Sequence, residues 1–352
     1  MDSLLIFTQL LLSALGVLGV ATGSGNFTLL REQLIYIVAG LLITFMVSRL
    51  SPKLIVKISP VAYVSVLIML VMVLFIGLSP DGSDSQRWLS LPGGLTLQPS
   101  ELMKVTVIAY LTAFFYNHLG KWELWRPTLV IGLAATLIMI EPNVSTTLFI
   151  FALAFTIMIA AGTSAMRLLS IGLSAALLTM VLAGTYLSQF GYIQERLGAY
   201  FSKDDSAVDQ EAGYQSSQAE KTLIKAGFFG IGPGRPVRVP ESYTDMVAIP
   251  IAQALGLTGI ASLIIAYLII AIRGIRIASL HHGPGSLLAA GATAYICGQA
   301  ALNLLVSSGY LPVTGVVLPF VSHGSNSLIS VSIAMGFLHS AYRHFRKEGI
   351  AL

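Results

Sequence analysis

Two carboxylates stand four residues apart at the point where a strongly apolar stretch begins. Glu241 and Asp245 occur in RVPESYTDMVAIP, whereas most of the chain avoids charge. If the segment is helical, residues at this spacing share one face. Two close carboxylates would raise the pKa of one of them or share a cation, and a single carboxylate can act as a general base. Glu241 has a second interpretation, as an acid that favours the positive end of a helix dipole.

A pair of opposite charges lies in another apolar stretch. Glu101 and Lys104 are three residues apart, just inside a predicted membrane-spanning segment. Ionisable groups at such depth cost free energy, so each of them is a candidate functional residue. The same spacing also suits a structural ion pair within one helix. Both interpretations, a functional cavity and a buried structural pair, are open at this point.

The composition of the chain indicates which kind of protein positions these groups. The chain has 352 residues, of which 55% are hydrophobic and 10% charged. A soluble domain carries about 25% charge, so this composition indicates a polytopic membrane protein. The single cysteine, Cys297, excludes a disulfide framework, and the amino terminus lacks the basic region of a cleavable signal peptide. Basic residues are scattered over loops rather than gathered in a patch, which argues against a nucleic-acid partner.

The sequence predicts an all-α fold with one integral membrane domain over residues 1–352. A helix needs about 20 mostly apolar residues to cross a bilayer, and about ten such helices are found. The turn Glu141-Pro142-Asn143 splits one helical hairpin, and the stretch 256–259 (GLTG) is placed to break or bend the eighth span. The predicted spans are 4–21, 33–48, 61–78, 102–117, 128–140, 145–162, 168–190, 247–272, 285–308 and 327–342.

Lys and Arg in short loops indicate the orientation, because they concentrate on the cytoplasmic side. With a cytoplasmic amino terminus, the short outside loops hold Arg31 and Arg87. Both termini are then cytoplasmic, and the long loop 191–246 is extracytoplasmic. The inside loops hold Arg49, Lys53, Lys57, Lys121, Arg126, Arg167, Arg273, Arg276, Arg343, Arg346 and Lys347.

The long outside loop contains two recognisable pieces. Residues 219–230 (AEKTLIKAGFFG) carry apolar residues at helical spacing, which predicts an amphipathic helix lying on the membrane or packed against the bundle. A glycine-proline turn with Arg235 and Arg238 follows, and cations near a membrane surface suit an anionic head group. The alternative for each of these residues is a solvated loop with scattered charge.

Five stretches, in order, resemble motifs of one membrane protein family. Two contain the charged groups described above: RWLSLPGGLTLQPSELMKV (87–105) and PESYTDM (240–246). The others are EPNVSTTL (141–148), the long loop around 213–246, and LPVTGVVLPFVSHGSNSLIS (311–330). With these motifs in register over nearly the whole chain, the protein resembles the SEDS family (shape, elongation, division and sporulation), which includes RodA and FtsW.

The resemblance implies a peptidoglycan glycosyltransferase that polymerises lipid II at the outer face of the bacterial cytoplasmic (inner) membrane. It implies that loop 191–246 is catalytic and that Asp245, at the position of the family's aspartate, is the general base. A carboxylate there would take the proton of an attacking sugar hydroxyl, and direct attack would invert the anomeric centre. The implied partner is a class B penicillin-binding protein transpeptidase, besides the membrane lipids. A divalent cation, Mg²⁺ or Mn²⁺, is a further implication, although the sequence contains no metal motif.

Several residues are candidates for holding the substrate. The departing pyrophosphate needs positive charge, which Lys104 and nearby arginines can supply. The stretch 311–327 is predicted to be a re-entrant or cavity-lining loop, whose polar side chains, Ser325 and Asn326 included, have a substrate contact and a structural hydrogen bond as alternatives. Gln299 and Asn303 are predicted to join helices instead. The candidates are Glu101, Lys104, Arg87, Gln98, Arg196, Glu241, Arg235, Arg238, Ser322 and His323.

The chain departs from the family motifs at several places, among them the motifs that contain Asp245 and Ser322. The family's His-Thr-Asp-Phe is Tyr243-Thr244-Asp245-Met246 here, so no histidine precedes the Thr-Asp pair. The family's Ser-Tyr-Gly-Gly-Ser-Ser is SHGSNS, with His323 in place of the tyrosine. These departures leave open whether the protein belongs with the elongation or the division enzymes.

Two functions of other classes remain as alternatives. One is a lipid II flippase or secondary transporter, which should carry midplane charges in several spans. In this chain the acids cluster in the outside loop, and the deep spans are nearly free of charge. The other is a non-catalytic membrane scaffold of the wall-synthesis complex, which would not need Asp245.

Overall fold

Helices make up most of the part of the chain that the structure, a computed structural model, describes. This part comprises residues 1–79, 86–92, 95–118, 124–185, 221–233, 242–280, 283–311 and 315–350. Each of the predicted spans overlaps a helix, so the expected helical architecture is confirmed. The helices are α1 (Ser3–Ser24), α2 (Phe27–Arg49), α3 (Pro52–Ile76), α4 (Pro99–Asn117), α5 (Trp125–Ile140), α6 (Val144–Ala160), α7 (Ala165–Thr185), α8 (Ala248–Leu255), α9 (Leu257–Ala278), α10 (Gly283–Ser307) and α11 (Ser325–Lys347).

Five of the described helices are long and apolar enough to cross a membrane, namely α1, α2, α3, α9 and α10. Helices α5 and α6 are shorter apolar helices, separated at the predicted turn over residues 141–143. Large apolar side chains such as Phe7, Phe45 and Phe75 point outward along these helices. A soluble protein rarely exposes so many large apolar side chains, and such a surface is suited to contact with lipid.

Helix α10 lies at the centre of the bundle and packs against α4, α6, α9 and α11. Glycine allows α9 to approach α10 closely, since a Cβ atom at Gly274 of α9 would overlap the hydroxyl oxygen of Thr293 in α10. At one end of the bundle, the Asp2 carboxylate caps α1 and binds Arg273 of α9. The Asp2 backbone N–H donates to His339 of α11, so these contacts tie three helices together.

The predicted eighth span is broken, as the glycine-containing stretch indicated. Gly256, with φ of 66°, separates α8 from α9. A segment of the long loop docks at this break through its main chain: Leu257 N–H donates to the Gly227 carbonyl, and Ile231 N–H donates to the Gln253 carbonyl. A Cβ at Gly256 would lie 2.4 Å from the backbone nitrogen of Gly230, so this close approach requires glycine.

The amphipathic helix predicted over residues 219–230 ends at residue 226 in the structure. The described part is helical over residues 221–226 and continues as a turn over 227–229. Its backbone contacts with α9 support the second of the two predicted placements, packing against the bundle.

A small β-hairpin, which the sequence analysis did not predict, lies between α3 and α4. Strands β1 (Leu89–Leu91) and β2 (Leu95–Leu97) pair antiparallel, with Ser90 opposite Thr96. The hairpin leads directly into α4, where Pro99 occupies the first turn and has no N–H to leave unsatisfied. It therefore fixes the entry into the helix that carries Glu101 and Lys104.

Candidate active site

Asp245 lies in a series of turns over residues 242–247 that leads into α8. The side-chain amide of Asn303, in α10, donates to the Asp245 carbonyl at 2.6 Å and to the Val316 carbonyl at 2.6 Å. One asparagine therefore holds the predicted catalytic segment and the loop over residues 315–324 together. A Cβ atom at Gly315 would lie 3.6 Å from Asp245 Oδ2, so the backbone of this loop borders the carboxylate.

The loop over residues 315–324, which we call the signature loop, contacts the Asp245 segment along its main chain. The Ser322 hydroxyl donates to the Thr244 carbonyl at 2.5 Å and accepts from the Leu318 N–H at 2.8 Å. The His323 backbone N–H donates to the Tyr243 carbonyl at 2.9 Å. Ser322 thus makes the structural hydrogen bonds that the sequence analysis gave as one of its two alternatives.

Glu101 and Lys104 form a buried ion pair with further partners. Lys104 Nζ lies 2.6 Å from Glu101 Oε1 and donates to Gln299 Oε1 at 3.1 Å. The other carboxylate oxygen of Glu101 accepts from the Tyr295 and Ser330 hydroxyls at 3.4 and 3.3 Å. Buried pairs are tolerated when further hydrogen bonds accompany them, and these contacts engage two donors of Lys104 and both carboxylate oxygens of Glu101. They are sufficient for a structural pair, and a role towards substrate stays a prediction.

A polar stripe on α10 connects the ion pair with the Asp245 segment. Tyr295, Gln299, Asn303 and Ser307 recur every four residues, so they lie on one face of the helix. Gln299 accepts from Lys104 and donates to the Val317 carbonyl at 2.9 Å. One turn further, Asn303 binds Asp245. Gln299 therefore joins two helices, as predicted. The side-chain amides of Gln299 and Asn303 also bind backbone carbonyls of the signature loop.

Only Gln299 and Asn303 of this stripe were predicted from the sequence, although a signal for all four residues was present. Four polar side chains at a spacing of four in an otherwise apolar span are the pattern of a helix face that meets polar groups. Tyr295 and Ser330 were also missed. Their positions become meaningful only when the helices are packed, because their hydroxyls reach Glu101 across 194 and 229 residues of sequence.

His323 lies beside the Asp245 segment and against α2. Its imidazole Nδ1 is 3.2 Å from Gln33 Oε1, and Nε2 is 3.7 Å from Glu32 Oε2. The ring packs against Tyr36 and Tyr243, with centroid separations of 5.7 and 6.0 Å. Burial lowers the pKa of His323 below its ordinary value, and the Glu32 carboxylate acts in the opposite direction.

Arg87 and Gln98 lie in the connection between α3 and α4. The Arg87 guanidinium donates to the carbonyls of Glu141 and Pro142, at 3.0 and 2.8 Å, and so holds the turn between α5 and α6. Gln98 stands at the amino-terminal cap of α4 and makes no side-chain capping hydrogen bond. A contact of either side chain with substrate stays a prediction.

Four predicted site residues lie outside the described part of the chain: Arg196, Arg235, Arg238 and Glu241. The described residues contain no cluster of three His, Cys, Asp or Glu side chains that could hold a metal ion. Asp245 is one oxygen ligand of the kind that Mg²⁺ prefers. A pair of carboxylates at this site would need Glu241, so the described residues supply only part of a metal site.

Comparisons with known proteins agree over almost the whole chain. The family model of the FtsW, RodA and SpoVE cell cycle proteins matches residues 3–347. A probable peptidoglycan glycosyltransferase FtsW of Hahella chejuensis is 30% identical over 363 residues, which cover 96% of this chain and 89% of the relative. Its counterpart in Bacillus subtilis is 29% identical over 355 residues, covering 95% and 85%.

Two solved structures are similar as well. One belongs to a study of the coordination of polymerization and crosslinking by a peptidoglycan synthase complex, with a TM-score of 0.79, 25% identity and 97% of both chains covered. The other is the rod shape determining protein RodA of Thermus thermophilus, with a TM-score of 0.71 and 22% identity. This match covers 97% of this chain and 96% of RodA, and it shows that the two share a fold.

Proposed function

The chain belongs to the family of FtsW, RodA and SpoVE cell cycle proteins, and from this membership we propose that it is a peptidoglycan glycosyltransferase. Its substrate is lipid II, a disaccharide-pentapeptide on undecaprenyl pyrophosphate, and its product is a glycan strand. The protein forms a single domain in the bacterial cytoplasmic membrane, with about ten spans and both termini in the cytoplasm. The loop 191–246 lies at the outer face. The protein acts either in cell elongation and shape or in cell division, since enzymes of both kinds share this activity.

One observation carries the proposal, namely the way in which Asp245 is held. Asn303 binds its carbonyl, and Ser322 and His323 bind the carbonyls of the two preceding residues. Because these contacts fix the main chain, the carboxylate is presented from a rigid base, which is what a catalytic group needs. Gly315 borders the carboxylate without adding a side chain.

The proposed reaction joins two sugars by direct displacement. A sugar hydroxyl attacks the anomeric carbon of a second lipid II, and the bond from that carbon to pyrophosphate breaks. The Asp245 carboxylate takes the proton of the attacking hydroxyl, and the bonding electrons leave with the pyrophosphate. One base is sufficient because pyrophosphate departs without being protonated, whereas glycoside hydrolysis requires an acid for the departing sugar. The anomeric centre is inverted.

Positive charge must stabilise the departing pyrophosphate, and Lys104 is the described cation that we assign to this role. An ammonium group has three N–H donors. Within the described residues, Glu101 and Gln299 take two of them, so the third is available for a phosphate oxygen. The residues that we assign to substrate binding, some of them outside the described part, are Glu101, Lys104, Arg87, Gln98, Arg196, Glu241, Arg238 and Ser322, whereas His323 faces Gln33 and Tyr243.

A divalent cation and a transpeptidase belong to the same proposal. Mg²⁺ or Mn²⁺ would neutralise charge on the pyrophosphate, with Asp245 as one oxygen ligand. The proposed partner is a class B penicillin-binding protein, which would cross-link the strands that this chain polymerises. The similarity to a chain of a peptidoglycan synthase complex supports this assignment.

The test is polymer formation from labelled lipid II by the purified protein, with Asp245→Asn as the variant. We expect the rate to fall by about 10²–10⁴-fold, because removal of a general base costs that much. Glu348→Gln is the matched control, since Glu348 lies at the far end of α11 and its side chain is 47% exposed. A control with wild-type rate shows that loss of one carboxylate is not harmful in itself.

The same experiment separates the alternatives. Wild-type polymer yield in Asp245→Asn would refute the assignment of the base. Movement of lipid II across vesicle membranes without polymer would identify a transporter. Absence of both activities in a folded wild-type protein, combined with binding to the transpeptidase, would identify a scaffold.

A further inference from the structure

The ring of His323 occupies a position where two parts of the molecule meet. On one side lies α2, with Glu32, Gln33 and Tyr36, and on the other lies Tyr243, two residues before Asp245. The side chain of His323 is 12% exposed, so it is enclosed by these neighbours. A displacement of this ring would therefore be transmitted to the segment that presents Asp245.

The contact with α2 fixes the orientation of the imidazole. The Gln33 amide donates through Nε2 to the Val321 carbonyl at 3.4 Å, which turns Oε1 towards His323 Nδ1. An amide oxygen can only accept, so Nδ1 carries the hydrogen in this arrangement. The side chain of Gln33 is fully buried, and it contacts the signature loop at the Val321 carbonyl and at the His323 ring.

The contact with Tyr243 joins the loop to the Asp245 segment twice. The two rings meet edge to face, with an interplanar angle of 68°. The His323 N–H also donates to the Tyr243 carbonyl. A backbone hydrogen bond forms with any residue at position 323, whereas the ring contact depends on the two side chains.

We propose that positions 243 and 323 act as one unit in which His323, held by Gln33, is a positioning residue for the Asp245 segment. The inference rests on the proposed function. It accounts for two of the departures from the motifs that the chain resembles, which place histidine at 243 and tyrosine at 323. This chain has the reverse arrangement, and the two exchanged residues are in ring contact. Exchange conserves the combined volume of the pair, whereas either change alone adds or removes several atoms.

A double-mutant cycle tests this coupling. Tyr243→His, His323→Tyr and the double variant Tyr243→His/His323→Tyr are compared with wild type. We expect each single variant to reduce kcat by about 10- to 10²-fold with little change in KM, because a misplaced base affects the transition state rather than binding. The double variant should recover to within about threefold of wild type, which independent sites would not do.

A second readout of the double-mutant cycle, thermal stability, does not depend on turnover. The thermal unfolding midpoint of each variant is measured in detergent, and the control is His344→Tyr. His344 is near the end of α11 and pairs with Glu348 within the same helix, so its replacement should leave both readouts unchanged. Recovery in the double variant by both readouts supports the proposal.

Three results would overturn it. Single-variant effects that add up in the midpoint show that the two positions are not coupled. Coupling in the midpoint with unchanged kcat in every variant shows a structural contact without a positioning role. Reduced kcat in both single variants without recovery in the double variant shows that each residue acts alone. A failure of the proposed function is distinguishable, since either wild type would then form no polymer or Asp245→Asn would polymerise normally, while the midpoint cycle still decides the coupling.

Discussion

Glu101 and Glu141 are both buried, at 7% and 1% exposure, and their surroundings differ completely. Glu101 has an ammonium group at 2.6 Å and two hydroxyls within reach of its other oxygen. Neither carboxylate oxygen of Glu141 has a hydrogen-bond partner among the described residues. Arg87, the nearby cation, binds the carbonyls of the turn instead.

The difference shows two ways of keeping a carboxyl group away from water. Glu101 is compensated by a cation and becomes part of a network that reaches the candidate active site. Burial raises the pKa of Glu141 to about 8, with Arg87 acting in the opposite direction, so at neutral pH this acid holds its proton. One glutamate is an ionic group and the other a neutral one, although the sequence contains the same residue.

The largest expected effect comes from removing the cation of the first pair. Lys104→Met leaves Glu101 buried without its ammonium partner, which we expect to cost about 3–5 kcal/mol in the free energy of unfolding. Chemical denaturation in detergent measures it, and polymerisation should be lost as well. The double variant Glu101→Gln/Lys104→Met should recover part of the stability. Equal losses in the single and double variants would contradict the view that the unpaired carboxylate is the cause.

The second prediction concerns the proton on Glu141. Because the pKa of Glu141 is raised in the folded protein, the folded state binds more protons than the unfolded state between about pH 4.5 and 8, and stability falls as pH rises through this window. Glu141→Gln should remove that fall. We expect little change at pH 5 and a gain on the order of 3 kcal/mol at pH 9, less than the full shift because detergent shields part of the denatured chain.

Thermal midpoints of Glu141→Gln and wild type at both pH values measure this effect. Glu348→Gln is the control, since that side chain is 47% exposed and lies at the end of α11, away from the turn over residues 141–143. Parallel pH profiles for wild type and Glu141→Gln would show that Glu141 is not the titrating group.

The smallest effect is expected at the residue that joins the ion pair to the signature loop. Gln299→Leu removes a hydrogen bond from Lys104 and leaves the Val317 carbonyl without the amide donor. An unsatisfied buried acceptor of this kind costs about 1–2 kcal/mol in the free energy of unfolding. Denaturation measures the loss, and Gln299→Glu is the companion variant, because it keeps an acceptor for Lys104 and removes only the donor. Identical stabilities of Gln299→Leu and wild type would show that this connection is not needed.

Sequence patterns predicted the helices, the turn over residues 141–143 and the break at Gly256, because apolar runs and glycine act locally. The Glu101–Lys104 pair was also predictable, since its members are three residues apart. The surroundings of the pair were not predictable. Gln299 meets Lys104 across 195 residues of sequence, and only the packing of α10 against α4 brings them together.

The placement of His323 illustrates the same limit. The motif comparison showed that histidine is absent from the position before Thr244, but no local pattern relates this to a second departure 80 residues later. The two positions meet because the signature loop folds back onto the Asp245 segment. The burial of Glu141 was equally hidden, since burial depends on neighbours that are distant in sequence.

The four-residue spacing on α10 has a consequence for how this span can change in length. A helix rotates by about 100° for each residue, so one residue inserted between Gln299 and Asn303 would turn Asn303 to a different side. Lys104 and Asp245 would then no longer be contacted by the same face. An insertion within this interval is therefore excluded, because the length of helix between Gln299 and Asn303 sets the separation of the two groups.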